Sequence, residues 1–558
     1  MLFLKYICPN GQHYNVVTKM VDHWMRVADA VSAAVNAARE KRMREIEREP
    51  FFEGLARELK PHQVQGVLWM SAMYDCGCSC ILGDEMGMGK TAQAISLIRR
   101  CCAKRGPVLI VVPLAVLKGW EEEFARWCPA EGVFRLVIHH PSSSSRTSIV
   151  DVWKEESGAG EIPVVLTTPG MLISDFEAIN GHGGRWGLVV VDEAHTAKNS
   201  SSIFSRHLQS LDTESFVLLT GTIIHNNVEE ELLHLLQSFV IPPVAREALG
   251  LQSASALLDK GLFIGGVGPV EKAIGRLLYC FMLRRLIQHT PGITMPPKIA
   301  CTVYLSQTPL QKRLYAVSAC NKALCDKHPY LALALGDAPA LGSSSSLTEA
   351  DARFMRSAVA HSNKMRFLAH ILPVLTAAGH RVLIFSNSLG ALHLLGLCLT
   401  EQKHAIDLIT GEMSDLEERK QRLDRFNAGR GPEIMLLSTK AMNQGVQLTG
   451  ADTVIFYDHH DNPQNDNQAE ARAYRITQGK AVLVLRLVTR GTKEEEAMGS
   501  WVKRKREVQE WLEFTQIGGA SEDSRKKALV LDNEDIMRNL LLNRRASGSW
   551  EGEWRASG

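Results

Sequence analysis

The segment Asp84-Glu85-Met86-Gly87-Met88-Gly89-Lys90-Thr91 has the residue types of a phosphate cradle. The apolar residues Ile81 and Leu82 precede it, and Ala92 to Arg99 reads as a helix. A glycine-rich turn that opens a helix offers backbone N–H groups and the positive end of the helix dipole to phosphate oxygens. In such a turn Lys90 would reach the β- and γ-phosphates of a nucleotide, and the Thr91 hydroxyl would bind Mg²⁺. Asp84 occupies the place where that pattern usually has its first glycine.

A second group stands behind Leu188-Val189-Val190-Val191, a run with the character of a buried strand. It delivers Asp192-Glu193-Ala194-His195 at the C-terminal end of that run, the edge at which open α/β sheets bind their ligands. Asp192 is placed to hold Mg²⁺, and Glu193 to orient and polarise an attacking water. Phosphoryl transfer also needs positive charge at the developing transition state, often from an arginine of another domain. Arg472 and Arg475, within Gln468 to Gln478, are three apart and are expected to share a helical face.

These residues need a scaffold, and the surrounding pattern predicts one. Short apolar runs at Val108 to Val112, Val164 to Leu166, Leu188 to Val191 and Phe216 to Leu219 alternate with longer amphipathic stretches. The alternation recurs at Val382 to Phe385, Ile406 to Ile409, Ile434 to Leu437, Val454 to Tyr457 and Val482 to Val488. Apolar strands separated by helical segments indicate parallel sheets covered on both faces. The expected fold class is therefore α/β, with two lobes that are each a mostly parallel sheet flanked by helices. The expected boundaries are a helical extension over 1–54, a first lobe over 55–285, a helical connection over 286–360, a second lobe over 361–515 and a tail over 516–558. Ser343 to Ser346 read as a flexible loop in the connection.

At 558 residues, with 45% hydrophobic and 22% charged residues, the composition is that of a globular chain of two or three domains. A net charge of +2 gives no general attraction to nucleic acid, so any such surface must come from local clusters. Among twelve cysteines the tightest group is Cys76, Cys78 and Cys80. Alternation on a short strand would put these three on one face, but no second cluster completes four zinc ligands. Met1 to Pro9 is too short an apolar run for a secretory signal, and reduced thiols in the nucleus or cytosol are expected. Val382 to Thr400 lacks Asp, Glu, Lys and Arg, but Ser386, Asn387, Ser388, Gly390 and His393 interrupt it. A buried strand, a turn and a helix are expected there rather than a membrane span.

The order of these groups resembles the Swi/Snf ATPases of helicase superfamily two, from about Leu59 to Glu496. Leu59 to Trp69 is similar to the family's opening segment, in which the resemblance assigns Gln63 to reading adenine. Val111-Val112-Pro113 with Trp120 and Glu123 resembles the next motif, and Thr167-Thr168-Pro169 a turn that contacts DNA. Ala197-Lys198-Asn199 follows the DEAH string, and Leu219-Thr220-Gly221-Thr222 with Asn226-Asn227 separates the chain from DEAH-box RNA helicases. Phe281 to Arg285 and Pro296-Pro297-Lys298 mark the exit from the first lobe, while Leu437-Ser438-Thr439-Lys440 belongs to the second.

The resemblance implies two RecA-like lobes with ATP and Mg²⁺ bound in the cleft between them, and an ATP hydrolase that moves on double-stranded DNA in the nucleus. It implies chromatin remodelling or displacement of DNA-bound proteins as the work done, with nucleosomes among the candidate substrates and targeting subunits among the candidate partners. Lys118, Thr168, Lys198, Ser438, Thr439 and Lys440 are the candidate DNA contacts. Several positions depart from the family: Ile223-Ile224-His225, Met442-Asn443-Gln444, Ala471, Tyr474 and Thr477. Those segments usually transmit motion between the lobes, so the alternative is an ATP-binding chromatin or DNA scaffold with poor coupling. Lys503-Arg504-Lys505-Arg506 reads as either a nuclear import signal or a solvated basic face.

Overall fold

A computed structural model gives the architecture. It describes residues 12–47, 55–128, 134–140, 162–180, 185–221 without 198, 200 and 214, 234–241, and 280–313 without 288–289 and 292–294. It also describes 356 and 359–499, without 412, 414–415, 440–447, 460–462 and 476–477. The chain divides into two compact units at Ile293 and Thr294.

The first unit is built on a seven-stranded sheet in the order β3-β4-β2-β5-β6-β1-β7. Its strands are β1 (Cys80–Leu82), β2 (Val108–Val111), β3 (Phe134–His139), β4 (Ile162–Thr167), β5 (Leu188–Asp192), β6 (Phe216–Leu219) and β7 (Met282–Leu283). All pairings are parallel. Every residue of β1, β2 and β6, and all of β5 except Asp192, is buried. Burial on both faces explains why these strands read as unbroken apolar runs instead of alternating ones.

Helix α1 (Gln12–Ile46) lies on α2 (Pro61–Asp75), with Ile46 buried against Leu68 and Ala72. Its basic side chain Arg42 is an anchor. Arg42 Nε donates to Asp75 Oδ2 at 2.9 Å, and the same carboxylate takes Arg100 through bonds of 3.0 and 2.6 Å. Arg100 belongs to α3 (Lys90–Arg105), so a single aspartate fastens three helices together.

The second unit is a six-stranded sheet in the order β10-β11-β9-β12-β13-β8, again parallel throughout. Its strands are β8 (Lys298–Leu305), β9 (Val382–Ser386), β10 (Ile406–Ile409), β11 (Ile434–Ser438), β12 (Thr453–Phe456) and β13 (Val482–Thr489). Strand β8 corrects the reading of 286–360 as a helical connection. Lys298 to Leu305 pairs with the whole of β13 as an edge strand, and its half-buried pattern carries no continuous apolar run.

The segment Val382 to Thr400 forms β9 and the helix Leu389–Glu401, and no described helix is long and apolar enough to cross a membrane. The cysteine expectation is corrected too. Cys76 caps α2 and Cys78 precedes β1, so only Cys80 lies on the strand. No group of three metal-ligating side chains occurs among the described residues. Lys198, Lys440, Ser343 to Ser346, Asn226-Asn227, Met442-Asn443-Gln444, Thr477 and Lys503 to Arg506 lie outside the described residues.

Candidate nucleotide site

Strand order brings the chemistry together. Strand β6 lies between β1 and β5, and Leu82, Leu219 and Asp192 are in register across the three. The loops that follow therefore leave the same edge side by side: Asp84 to Thr91 after β1, Thr220-Gly221 after β6, and Glu193 after β5. Thr220 N donates to Leu82 O at 3.1 Å. A Cβ on Gly221 would stand 2.6 Å from Met86 Cγ and 3.3 Å from Lys90 Nζ, so the glycine is needed to let this turn touch the phosphate loop.

The loop itself has a left-handed backbone at Gly87 (φ 92°) and Gly89 (φ 79°), which glycine adopts without steric cost. Gly89 caps the N-terminus of α3, and a Cβ there would meet the Gln63 amide at 2.2 Å. Lys90 Nζ donates to Asp84 O at 2.8 Å, bending the side chain back over its own loop. Burial pushes the Lys90 ammonium down, while Glu193, Asp84 and Asp192 oppose that shift. Thr91, in the first turn of α3, is half-buried.

Asp84 does not serve as a phosphate contact through its side chain. The carboxylate is fully buried and paired with Arg285, whose Nε lies 2.9 Å from Oδ1 and whose backbone N–H also donates to it. Gln93 Nε2 donates to Asp84 Oδ2 at 3.2 Å, Gln93 Oε1 accepts from Arg285 Nη2 at 3.0 Å, and Arg285 Nη1 donates to His62 O. Only its carbonyl, which holds Lys90, faces the site. Glu85 is also turned to the fold, its carboxylate accepting the Ile287 N–H at 2.7 Å. Met86, Gly87 and Met88 complete the turn, and Met88 O accepts from Gln63 Nε2 at 3.3 Å and lies 3.2 Å from His62 Nε2. Gln63 Oε1 closes the start of α2 by accepting Lys60 N–H at 2.9 Å. Gln63 is thus locked against the loop.

Across the site, Asp192 Oδ1 accepts the Glu193 N–H at 2.9 Å and Oδ2 accepts Trp120 Nε1–H at 2.8 Å. Burial and the neighbouring Glu193 push the Asp192 carboxyl up to about 6, against the pull of Trp120 and Lys90. Glu193 has a positive φ of 49°, a conformation that costs a non-glycine residue about 1–3 kcal/mol and recurs at functional sites. Its Oε2 lies 3.2 Å from His195 Nδ1. The Thr91 hydroxyl and the Asp192 carboxylate are hard oxygen donors of the kind Mg²⁺ takes beside substrate phosphates. The donor set, with the Lys90 ammonium close enough to act electrostatically on Asp192, fits a magnesium nucleotide.

In the second unit, Arg472 is buried on the helix Pro463–Ala473, whereas Arg475 lies beyond that helix. The expectation of a shared helical face is corrected. The Gln478 amide takes the carbonyls of Ala473, Ala451 and Thr449, which ends the helix, and Arg475 Nε folds back to Ala471 O at 3.0 Å. Glu470 on the same helix pairs with Lys298 Nζ at 2.8 Å and with Arg486. The departure at Tyr474 is built into this corner: its hydroxyl donates to Pro296 O at 3.0 Å, and Lys298 Nζ lies 5.0 Å from its ring centre.

Of the candidate DNA contacts, Lys118 is exposed. Thr168 is buried, and its hydroxyl oxygen accepts the Met171 N–H as a helix cap. Ser438 and Thr439 close β11 and are buried. Sequence reasoning missed Arg285, Gln93, His62 and the role of Trp120. An aspartate in place of the loop's first glycine was the available signal, because a buried carboxylate requires a cation.

Residues 62–358 match the model of the SNF2-related domain and residues 363–477 that of the helicase conserved C-terminal domain. The chain belongs to the Swi/Snf family of helicase-like ATPases. It is 34% identical over 471 residues to chromodomain-helicase-DNA-binding protein 1-like of Danio rerio, covering 79% of this chain and 42% of that protein. It is 31% identical over 507 residues to chromodomain-helicase-DNA-binding protein 7 of Gallus gallus, covering 82% of this chain and 16% of that protein. The chain thus spans less than half the length of these relatives. The SWI2/SNF2 ATPase core of Sulfolobus solfataricus, solved with double-stranded DNA, aligns over 82% of this chain and 92% of that one at 24% identity. The TM-score is 0.38, too low for any arrangement of parts to be read across.

Proposed function

We propose that the chain is an ATP-dependent translocase on double-stranded DNA that hydrolyses ATP with Mg²⁺ and works in the nucleus on chromatin or other protein–DNA complexes. The observation that supports this most is the juxtaposition of Lys90, Gly221, Asp192 and Glu193 beyond the C-terminal ends of three adjacent strands. Lys90 and the N–H groups of the glycine turn would bind the phosphates, and Gln63 the adenine. Thr91 and Asp192 would hold Mg²⁺, which supplies positive charge to the phosphate oxygens when bound. Glu193 would orient the attacking water and accept its proton, its odd backbone angle aiming the carboxylate. Arg472 and Arg475 are the candidates for the positive charge that the transferred group needs as the transition state develops. Names of relatives that include DNA binding support DNA as the polymer.

The test compares ATP turnover of the purified protein alone and with duplex DNA, single-stranded DNA or RNA, beside Glu193→Gln. Stimulation specific to duplex DNA and abolished in the variant is expected. ATP binding without stimulation by any nucleic acid would replace the translocase with an uncoupled scaffold, and stimulation by RNA alone would indicate an RNA helicase.

A further inference from the structure

We propose that Trp120 is a positioning residue for Asp192, fixing the carboxylate that takes the metal ion; the inference rests on the ATPase reading above. Helix α4 (Leu117–Trp127) carries Trp120, which is 2% exposed and among the largest fully buried side chains of the protein. A buried indole N–H needs an acceptor. Trp120 takes a carboxylate oxygen at 2.8 Å although the two residues are 72 positions apart.

The geometry leaves the carboxylate little freedom. Oδ2 is held by the indole and Oδ1 by the Glu193 N–H, so rotation about the Cβ–Cγ bond would break both hydrogen bonds. Each oxygen accepts one of these bonds, and Lys90 acts electrostatically on the same carboxylate. Hydrogen bonds from such outer groups orient metal ligands and commonly change metal affinity about 10–100-fold when removed. Glu123 is not a rival acceptor for the indole, since its carboxylate accepts from Trp127 Nε1 at 2.8 Å and from Arg126. Because α4 follows directly on the surface turn that exposes Leu114, the hydrogen bond also ties that turn to the metal ligand.

The experiment measures direct binding of a fluorescent ATP analogue as Mg²⁺ is titrated, with no turnover required. Trp120→Phe is expected to raise the half-saturating Mg²⁺ concentration about tenfold, while binding in excess EDTA stays unchanged. In an Asp192→Asn background the same substitution is expected to have no further effect, because it acts through that carboxylate. Phe124→Leu, which disturbs packing 6.3 Å from the indole but no hydrogen bond to Asp192, should leave the Mg²⁺ dependence alone. If Trp120→Phe does not fold, the isosteric benzothienylalanine at position 120 removes only the N–H.

An unchanged Mg²⁺ dependence in either variant, or an equal shift in Phe124→Leu, would overturn the positioning role and leave the ATPase reading standing. A wild-type protein that binds no nucleotide at any Mg²⁺ concentration would overturn both.

Discussion

At the scale of single residues, Asp84 is the clearest case of a departure that turns out to be structural. Lys90, Thr91, Asp192 and Glu193 were legible because their meaning is local: a glycine turn before a helix, and two acids behind a strand. The role of Asp84 was not local, since its partner Arg285 lies 201 positions away. Asp84→Gly would restore the common phosphate-loop glycine, yet it would leave the Arg285 guanidinium, 15% exposed, without its carboxylate. Removing one member of a buried pair costs about 3–5 kcal/mol. The variant is therefore expected to lose roughly 3 kcal/mol of unfolding free energy, read from the denaturant midpoint at constant slope. An unchanged midpoint would mean that Arg285 finds another partner.

At the scale of elements, the strands that sequence revealed are interior to their sheets with the exception of the edge β10, and those it hid are edges. Strands β2, β5, β6, β9, β11, β12 and β13 are interior to their sheets and bury both faces, which produces unbroken apolar runs. The missed strands β3, β7 and β8 are all edges. An edge strand need not be apolar throughout, and Lys298-Ile-Ala-Cys-Thr-Val-Tyr-Leu305 has polar and charged members that hide it.

Strand β8 matters because it begins with Lys298, which together with Arg486 holds Glu470. Burial alone would push the Glu470 carboxyl up, but these two cations hold it down to about 2 from an ordinary value of 4.5. A carboxylate depressed in the folded state stabilises fully above its unfolded pKa and loses that contribution as pH falls towards the folded value. Glu470→Gln should then cost about 3 kcal/mol at pH 7 and progressively less between pH 4.5 and 2. Urea titrations at pH 7 and pH 3 give the comparison. A penalty that does not change with pH would assign the loss to packing instead of charge.

At the scale of the whole molecule, near-neutral net charge makes any grip on DNA a matter of a few placed cations. Each phosphate contact lowers the slope of log affinity against log salt by about 0.9 on duplex DNA. Lys118→Ala is expected to weaken duplex binding evenly across sequences and to make that slope shallower by about 1. Fluorescence anisotropy over a salt series measures it, and an unaltered slope would take Lys118 off the phosphate backbone.

The parallel pairing of β8 with β13 also sets an order in time. The ribosome makes Lys298 to Leu305 long before Val482 to Thr489, and at about 5–20 residues per second the interval is roughly 10–35 s. The first sheet has its last described strand by Leu283, so its described strands can pair early. The second cannot, and for that interval β8 leaves the exit tunnel without β13, its one neighbour among the described strands of the sheet. A nascent chain paused in this window therefore carries the β8 backbone groups unpaired with β13.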